Sequence, residues 1–170
     1  MNGAADSFSQ LPEPVDPVIC AVLEAWKRAH PGGGLLPGRQ HIDPLTLPRL
    51  TLPHIFLFDV LREPDRLRFR YRLVGAHINF GMPGNKTGRY FDEVMPDDPA
   101  RRATLEALTR CAEKGEVSYR RGKPRLPTNQ EAALIERLYL PLAADGRIVD
   151  MLFCASVFFD ANERPLRTGI

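Results

Sequence analysis

Two histidines lie close in sequence to an aspartate, and these pairs are the residues best suited to acid–base chemistry. His41 precedes Asp43, and His54 precedes Asp59. A histidine exchanges its proton near neutral pH, and a neighbouring carboxylate can orient its ring. Both pairs fall near predicted loop or strand ends, where a histidine usually hydrogen bonds to the backbone. A small enzyme that uses a His-Asp pair is therefore an alternative hypothesis, and we do not expect catalysis.

Cysteine and glycine patterns give no further catalytic or metal-binding motif. The three cysteines, Cys20, Cys111 and Cys154, are too few and too scattered for a disulfide framework or a zinc site. We expect them to be reduced and mostly buried. The stretch GMPGNKTG, residues 81–88, contains glycine, lysine and threonine, but its spacing does not fit a phosphate-binding P-loop.

Six arginines could form a basic surface. Arg68, Arg70 and Arg72 alternate along one predicted strand, and the other three are Arg120, Arg121 and Arg137. The formal net charge is only +2, and no nucleic-acid-binding motif accompanies the arginines. Nucleic-acid binding is therefore not expected, and a regulator that acts through a basic surface is a second alternative.

Two helices are predicted from their capping residues and apolar spacing. Asp98 and Pro99 begin a helix that ends at Lys114 and Gly115. Asp16 and Pro17 begin another, which ends before Pro31. Its apolar stripe contains Val15, Ile19, Val22, Leu23 and Trp26.

Five segments have strand patterns, and short turns between several of them favour an antiparallel sheet. The predicted strands are residues 55–60, 67–74, 116–121, 134–142 and 148–159. In the second strand, alternation predicts that Leu67, Phe69, Tyr71 and Leu73 face the interior.

The last strand is apolar on both faces. We expect its inward face to carry Val149, Met151, Phe153, Ala155, Val157 and Phe159. The outer face, with Leu152, Cys154 and Phe158, then also needs a cover. The N-terminal helix is predicted to supply that cover, on its own or a neighbouring subunit, and we expect a homodimer with this helix at or near the interface.

Three blocks of sequence stand out by their residue order. The first is TGRYFDEVMPDDPARRATLEALTRCAEKGEVSY, residues 87–119. The second is LYLPLAADGRIVDMLFCASVFFD, residues 138–160, and the third is RFRYRLVGAHI, residues 68–78. Together they resemble the PAS domain family, most closely the short, stand-alone bacterial PAS proteins, and the second block is similar to the closing hairpin of that family.

This resemblance implies an α+β fold with a five-stranded antiparallel sheet, in which the first strand lies between the second and the fifth. It also implies a sensory or protein-interaction module that holds any small ligand between the sheet and the helix beginning at Pro99. The candidate ligand-binding residues, carried over by position, are Phe56, Phe69, Tyr71, Phe80, Phe91, Leu105, Leu108, Leu138, Leu140, Met151 and Phe153.

The resemblance also indicates which cofactors to expect. Flavin photosensors of this family use a cysteine in the short-helix region, and residues 75–89 contain none. Haem-binding members use a histidine on the long helix, and residues 99–114 contain none, although His77 lies nearby in sequence. We therefore predict a colourless protein, and an absorption spectrum of the purified chain with a visible band would contradict this.

The domain organisation follows from these elements. We expect a flexible tail at residues 1–14, the N-terminal helix at 15–31, a proline-rich connection at 32–54, the PAS-like domain at 55–160 and a C-terminal tail at 161–170. The first ten residues, MNGAADSFSQ, are unlike a secretion signal, and no apolar run is long enough to span a membrane. We expect a cytoplasmic protein that signals in trans through a partner protein.

Overall fold

The computed structural model describes residues 15–82, 84–128 and 131–166. The predicted tail at residues 1–14 and the last four residues of the chain, 167–170, lie outside the described residues. Within these ranges the chain has an α+β fold. Its helices are α1 (Pro17–Arg28), α2 (Ala76–Gly81), α3 (Phe91–Val94) and α4 (Pro99–Lys114). Its strands are β1 (Ile55–Arg62), β2 (Leu67–Val74), β3 (Ser118–Gly122), β4 (Leu134–Leu142) and β5 (Met151–Phe159).

The strands form one antiparallel sheet in the order β2-β1-β5-β4-β3. The prediction that β1 lies between β2 and β5 is confirmed. The proline-rich connection forms three short 3-10 segments, Arg39–His41, Pro44–Thr46 and Arg49–His54. After β5 the chain turns back, and the Leu166 amide donates to the Phe158 carbonyl at 2.8 Å.

The residues predicted to begin and end α4 do so in the structure. The Asp98 carboxylate accepts from the Arg101 amide at 2.8 Å, and Pro99 occupies the first turn. Gly115 follows the last residue of the helix with φ 65°, a left-handed conformation that favours glycine.

Helix α1 packs on the sheet of its own chain. This was one of the two predicted alternatives, the other being the sheet of a neighbouring subunit. Asp16 caps it by accepting from the Val18 amide at 2.8 Å. Trp26 donates its indole N–H to the Pro141 carbonyl at 2.8 Å. The side chains of Ile19 and Val22 are fully buried, and each such burial contributes about 1.5–3 kcal/mol.

Each face of the sheet has its own cover. The face that packs against α2, α3 and α4 is called the α4 face here, and the face that packs against α1 is called the α1 face. On β5 the side chains of Leu152, Cys154 and Phe158 belong to the α4 face. Phe153, Ala155, Val157 and Phe159 belong to the α1 face. The predicted orientation of β5 was therefore wrong, and so was the prediction that α1 covers Leu152, Cys154 and Phe158. A strand that is apolar on both faces has no alternation from which to tell them apart.

A β-bulge in the β1–β2 pair changes the predicted orientation of β2. Leu57 pairs with Leu73 and Phe58 pairs with Tyr71, so that Arg72 has no partner. Phe69 and Tyr71 are buried as predicted, but Leu73 is 47% exposed. The prediction for Leu73 was wrong because one extra residue moves the following side chains to the opposite face.

A buried carboxylate on the α1 face joins the start of α1 to two strands. Glu136 of β4 is 1% exposed and accepts from the Asp16 amide at 3.1 Å and from the Tyr119 hydroxyl at 3.0 Å. Burial is the main cause that raises the pKa of Glu136, which these hydrogen bonds partly oppose. Glu136 therefore stabilises the docked helix at an electrostatic cost.

Two substitutions at Glu136 should separate its hydrogen bonds from its charge. Glu136→Ala leaves the buried Asp16 amide and the partly buried Tyr119 hydroxyl without their acceptor and should lower the free energy of unfolding by about 1–3 kcal/mol. Glu136→Gln keeps an acceptor and removes the charge, so it should be at least as stable as the parent at neutral pH. Urea denaturation of the three proteins measures both differences.

The difference in free energy of unfolding between the parent and Glu136→Gln should change with pH in a defined direction. Because the folded-state pKa is raised, the contribution of Glu136 is fully present below its unfolded pKa of about 4.3 and is lost as the pH rises through the folded pKa. The stability advantage of Glu136→Gln should therefore grow between about pH 4 and about pH 7. An advantage that shrinks over this range would contradict the assignment.

Candidate functional site

A small cavity lies on the α4 face of the sheet. Its volume is about 40 Å³, which is room for roughly three water molecules. The walls come from all five strands, from α2, α3 and α4, and from the segment that follows β3. Half of the lining residues are apolar: Phe56, Phe58, Ile78, Met82, Phe91, Pro124, Leu126 and Ile135. The other half are polar or charged: Tyr71, Thr104, Arg120, Arg125, Thr128, Arg137, Tyr139 and Ser156.

Arg137 is the main charged group of the cavity. The period of two along β4 places Arg137 on the same face as Ile135 and Tyr139. Arg137 is 8% exposed, and its guanidinium carbon lies 4.0 Å from the centre of the Tyr139 ring. Its hydrogen bond to a described residue is a long one, 3.4 Å to the Ser118 hydroxyl, and no described carboxylate forms an ion pair with it. A buried guanidinium normally has such a partner.

Two further arginines lie close to Arg137. Arg120 of β3 is its direct partner across the strand pair, and Arg125 lies in the segment after β3. Burial, followed by the charges of Arg125 and Arg137, lowers the pKa of Arg120. Among the described residues neither Arg120 nor Arg125 forms an ion pair. No described carboxylate therefore lies within ion-pair distance of these three arginines, and two acidic side chains, Glu106 and Glu116, line a neighbouring cavity that Arg125 and Arg137 also border.

Two tyrosine hydroxyls complete the polar groups. Tyr71 and Tyr139 are 3% and 4% exposed, and in the described structure neither hydroxyl makes a hydrogen bond. Burial raises the pKa of both phenols, so both remain protonated and can donate. The two hydroxyls and the Arg137 guanidinium thus offer hydrogen bonds that this part of the protein does not use.

Aromatic contacts fix the apolar wall. The Phe58 ring lies 4.4 Å from the Tyr71 ring and 6.1 Å from the Phe91 ring, measured between centroids. Phe56 packs edge-on against Phe58 and Tyr139 at 5.7 Å and 6.3 Å. Edge-to-face packing of this kind holds each ring in one orientation, so the shape of the cavity is largely preformed.

The structure brings together only some of the predicted ligand-binding residues. Phe56, Tyr71 and Phe91 line the cavity. Phe69 and Leu108 lie in the surrounding hydrophobic cluster, and Leu105 packs at its edge. Phe80 is 42% exposed. The four predicted residues on β4 and β5 lie on the α1 face, away from the cavity: Leu138, Leu140, Met151 and Phe153.

Sequence reasoning missed Phe58, Tyr139 and the role of Arg137. A usable signal for Arg137 was present, since it is a charged residue inside a strand that is otherwise mostly apolar on both faces. Such a residue must be paired, exposed or functional. The arginine pattern alone places it among the six arginines of the predicted basic surface.

The histidine–aspartate pairs of the enzyme hypothesis have other partners. The His41 Nδ1 atom accepts from the Gly38 amide at 2.9 Å, and Asp43 accepts from the Leu45 amide. The His54 ring donates to the Ser156 carbonyl across 3.0 Å and lies 4.3 Å from the His77 ring.

The described ranges hold no cluster of metal-ligating side chains, and two of the three thiols are buried. These ranges contain no group of three histidine, cysteine, aspartate or glutamate residues that could hold a metal ion. Cys111 and Cys154 are buried and Cys20 is exposed, so the thiols are mostly buried, as predicted. Burial raises the pKa of Cys111 and Cys154, so both stay protonated and unreactive.

The predicted basic surface is largely neutralised by acidic partners. Arg68 lies 3.0 Å from Asp92 and 2.8 Å from Glu93. Arg70 and Arg72 both form ion pairs with Asp59. Arg121 lies 2.8 Å from Glu163, and the remaining two arginines, Arg120 and Arg137, line the cavity.

Comparisons with family models, with curated proteins and with solved structures gave no match to this chain. The described helices are all too short or too polar to cross a bilayer. The resemblance to PAS domains is therefore supported by the three sequence blocks alone. The α+β fold with its antiparallel sheet is observed in the structure.

The unused tyrosine hydroxyls lead to a stability prediction. Tyr71→Phe and Tyr139→Phe each remove a hydroxyl that has no described hydrogen-bond partner, so each should leave the free energy of unfolding unchanged or raise it, by up to about 1–3 kcal/mol. Tyr119→Phe is the matched control, because it removes a hydroxyl that donates to Glu136, and it should cost about 1 kcal/mol. Chemical denaturation compares the three variants, and a similar loss in all three would mean that the cavity hydroxyls are structural.

Proposed function

We propose that this chain is a sensory module of PAS type that binds a small molecule and signals in trans through a partner protein. The observation that carries the proposal is the cavity with unused hydrogen-bonding groups on the α4 face. The sequence resemblance implies a ligand at this place, between the sheet and the helix that begins at Pro99. Binding, rather than catalysis, is the activity proposed.

Arg137 and the hydroxyls of Tyr71 and Tyr139 make few or no hydrogen bonds to described residues. A buried polar group without a partner costs about 1–3 kcal/mol, and a charged one costs more. Arg137 and the two tyrosine hydroxyls could each be replaced by an apolar residue at little cost to folding. Their presence around one preformed cavity is typical of a binding site, where a few polar groups orient a ligand against an apolar wall.

The proposed output depends on the elements that line the cavity. Thr104 on α4 and Arg120 on β3 both contact the cavity, so an occupant would bear directly on this helix and this edge strand. A change in the packing of α4 and β3 would alter a surface that a partner protein or a second copy of the chain could bind. We propose a homodimer with α1 at or near the interface, in the cytoplasm, as the setting of this signal.

Filling the cavity should remove the ligand without removing the fold. Thr104 is buried on the cavity side of α4, and Thr104→Met would extend a flexible side chain into the cavity. Thr109→Met makes the same change on the same helix, and Thr109 does not line the cavity. We expect native mass spectrometry to detect a co-purified small molecule on the parent protein and on Thr109→Met, but not on Thr104→Met.

Melting curves of the same three proteins provide the control for folding. Cooperative melting of Thr104→Met would show that its ligand was lost from a folded protein. A parent protein without any bound small molecule, or equal occupancy in all three proteins, would contradict the proposed function.

A further inference from the structure

The charge of the cavity lining is one-sided. Arg120, Arg125 and Arg137 line the cavity, and its described lining residues include no aspartate or glutamate. Two glutamates, Glu106 and Glu116, line a separate neighbouring cavity that Arg125 and Arg137 also border. Arg137 is buried, and none of the three forms an ion pair with a described residue. An anion that entered this cavity would gain three nearby positive charges in an environment of reduced dielectric constant.

The donor groups favour a carboxylate over other anions. A guanidinium presents N–H groups in a planar fork that matches the two oxygens of a carboxylate. The Tyr71 and Tyr139 hydroxyls can donate further hydrogen bonds to the same kind of oxygen. The apolar half of the lining gives no hydrogen bonds, and it would contact the oxygens of inorganic phosphate or sulfate unfavourably.

The size of the cavity limits the rest of the ligand. About 40 Å³ admits only a few non-hydrogen atoms. A carboxylate with a short hydrocarbon chain would place its oxygens on Arg137 and its chain against the ring of Phe56 or Phe58.

We infer that the ligand of this site is a short-chain organic carboxylate, bound through the Arg137 guanidinium and the Tyr71 and Tyr139 hydroxyls. The inference rests on the proposed function, since it specifies the ligand class of the same cavity. It can nevertheless fail while the proposed function stands.

Three probes of similar size distinguish the possible ligand chemistries. Isothermal titration of the full chain would use sodium propionate, neutral propionamide and sodium phosphate at constant ionic strength. We expect saturable binding of propionate at least tenfold tighter than that of propionamide, because the charged hydrogen bonds are lost with the amide. Equal binding of propionamide, or binding of phosphate alone, would overturn the carboxylate assignment and leave a ligand-binding module.

Substitutions test the role of Arg137. Arg137→Gln should weaken propionate binding at least tenfold, and Arg137→Lys should also weaken it because the planar fork is lost. The matched control is Arg147→Gln, which removes the same charge from an exposed turn outside the cavity and should bind propionate like the parent. Equal loss in Arg147→Gln would mean that overall charge, and not this site, attracts the anion.

Melting temperatures separate binding from folding. Without propionate, Arg137→Gln should melt at or above the temperature of the parent, because a buried charge without an ion-pair partner is removed. With propionate, only the parent and Arg147→Gln should shift upward. If Arg137→Gln does not fold, Arg120→Gln provides the same comparison at the neighbouring guanidinium.

The failure of this inference can be told apart from the failure of the proposed function. If none of the three probes binds but Thr104→Met loses a co-purified molecule, only the carboxylate class is overturned. If no molecule co-purifies either, the proposed function is overturned as well.

Discussion

The fold depends on the need to cover the central strands of the sheet on both faces. Every residue of β5 after Met151 is buried, and β4 is buried from Ile135 to its end. A sheet of this kind cannot leave either face in water, since each exposed apolar side chain would forgo about 1.5–3 kcal/mol. The chain supplies α1 for one face and α2, α3 and α4 for the other, so two separate hydrophobic clusters form on the two sides of one sheet.

The two covers are held in different ways. Helix α1 packs directly on β4 and β5 and is attached at both ends, by Glu136 near its start and by the Trp26 indole near its end. The α4 face is covered by three helices and a loop that meet around aromatic rings, and this less regular cover leaves the cavity. The site therefore lies on the face where several elements must fit together, which is where small spaces persist in close-packed interiors.

The sequence was sufficient to predict the elements but not the orientation of the central strands. Asp98, Pro99 and Gly115 act locally, so the bounds of α4 could be predicted from neighbouring residues. The faces of β5 could not, because its residues are apolar on both sides and only the positions of α1 and α4 decide which side is which. The bulge at Arg72 has no local marker either, and its effect on Leu73 follows from the pairing with β1. Three of the eleven predicted ligand-binding residues therefore line the cavity, and the four on β4 and β5 lie on the opposite face.

Glu136 and Arg137 show why burial of a charge alone does not identify a site. They are adjacent on β4, have opposite charges and are both buried, but the period of two places them on opposite faces, where they cannot pair. Glu136 accepts hydrogen bonds from the Asp16 amide and the Tyr119 hydroxyl, so its burial is explained by the docking of α1. Arg137 has one long hydrogen bond, an aromatic ring and a cavity beside it. The desolvation of Glu136 is thus offset within the protein on the α1 face, whereas Arg137 keeps donors that the described residues do not use, and this difference is the physical basis for the binding site proposed on the α4 face.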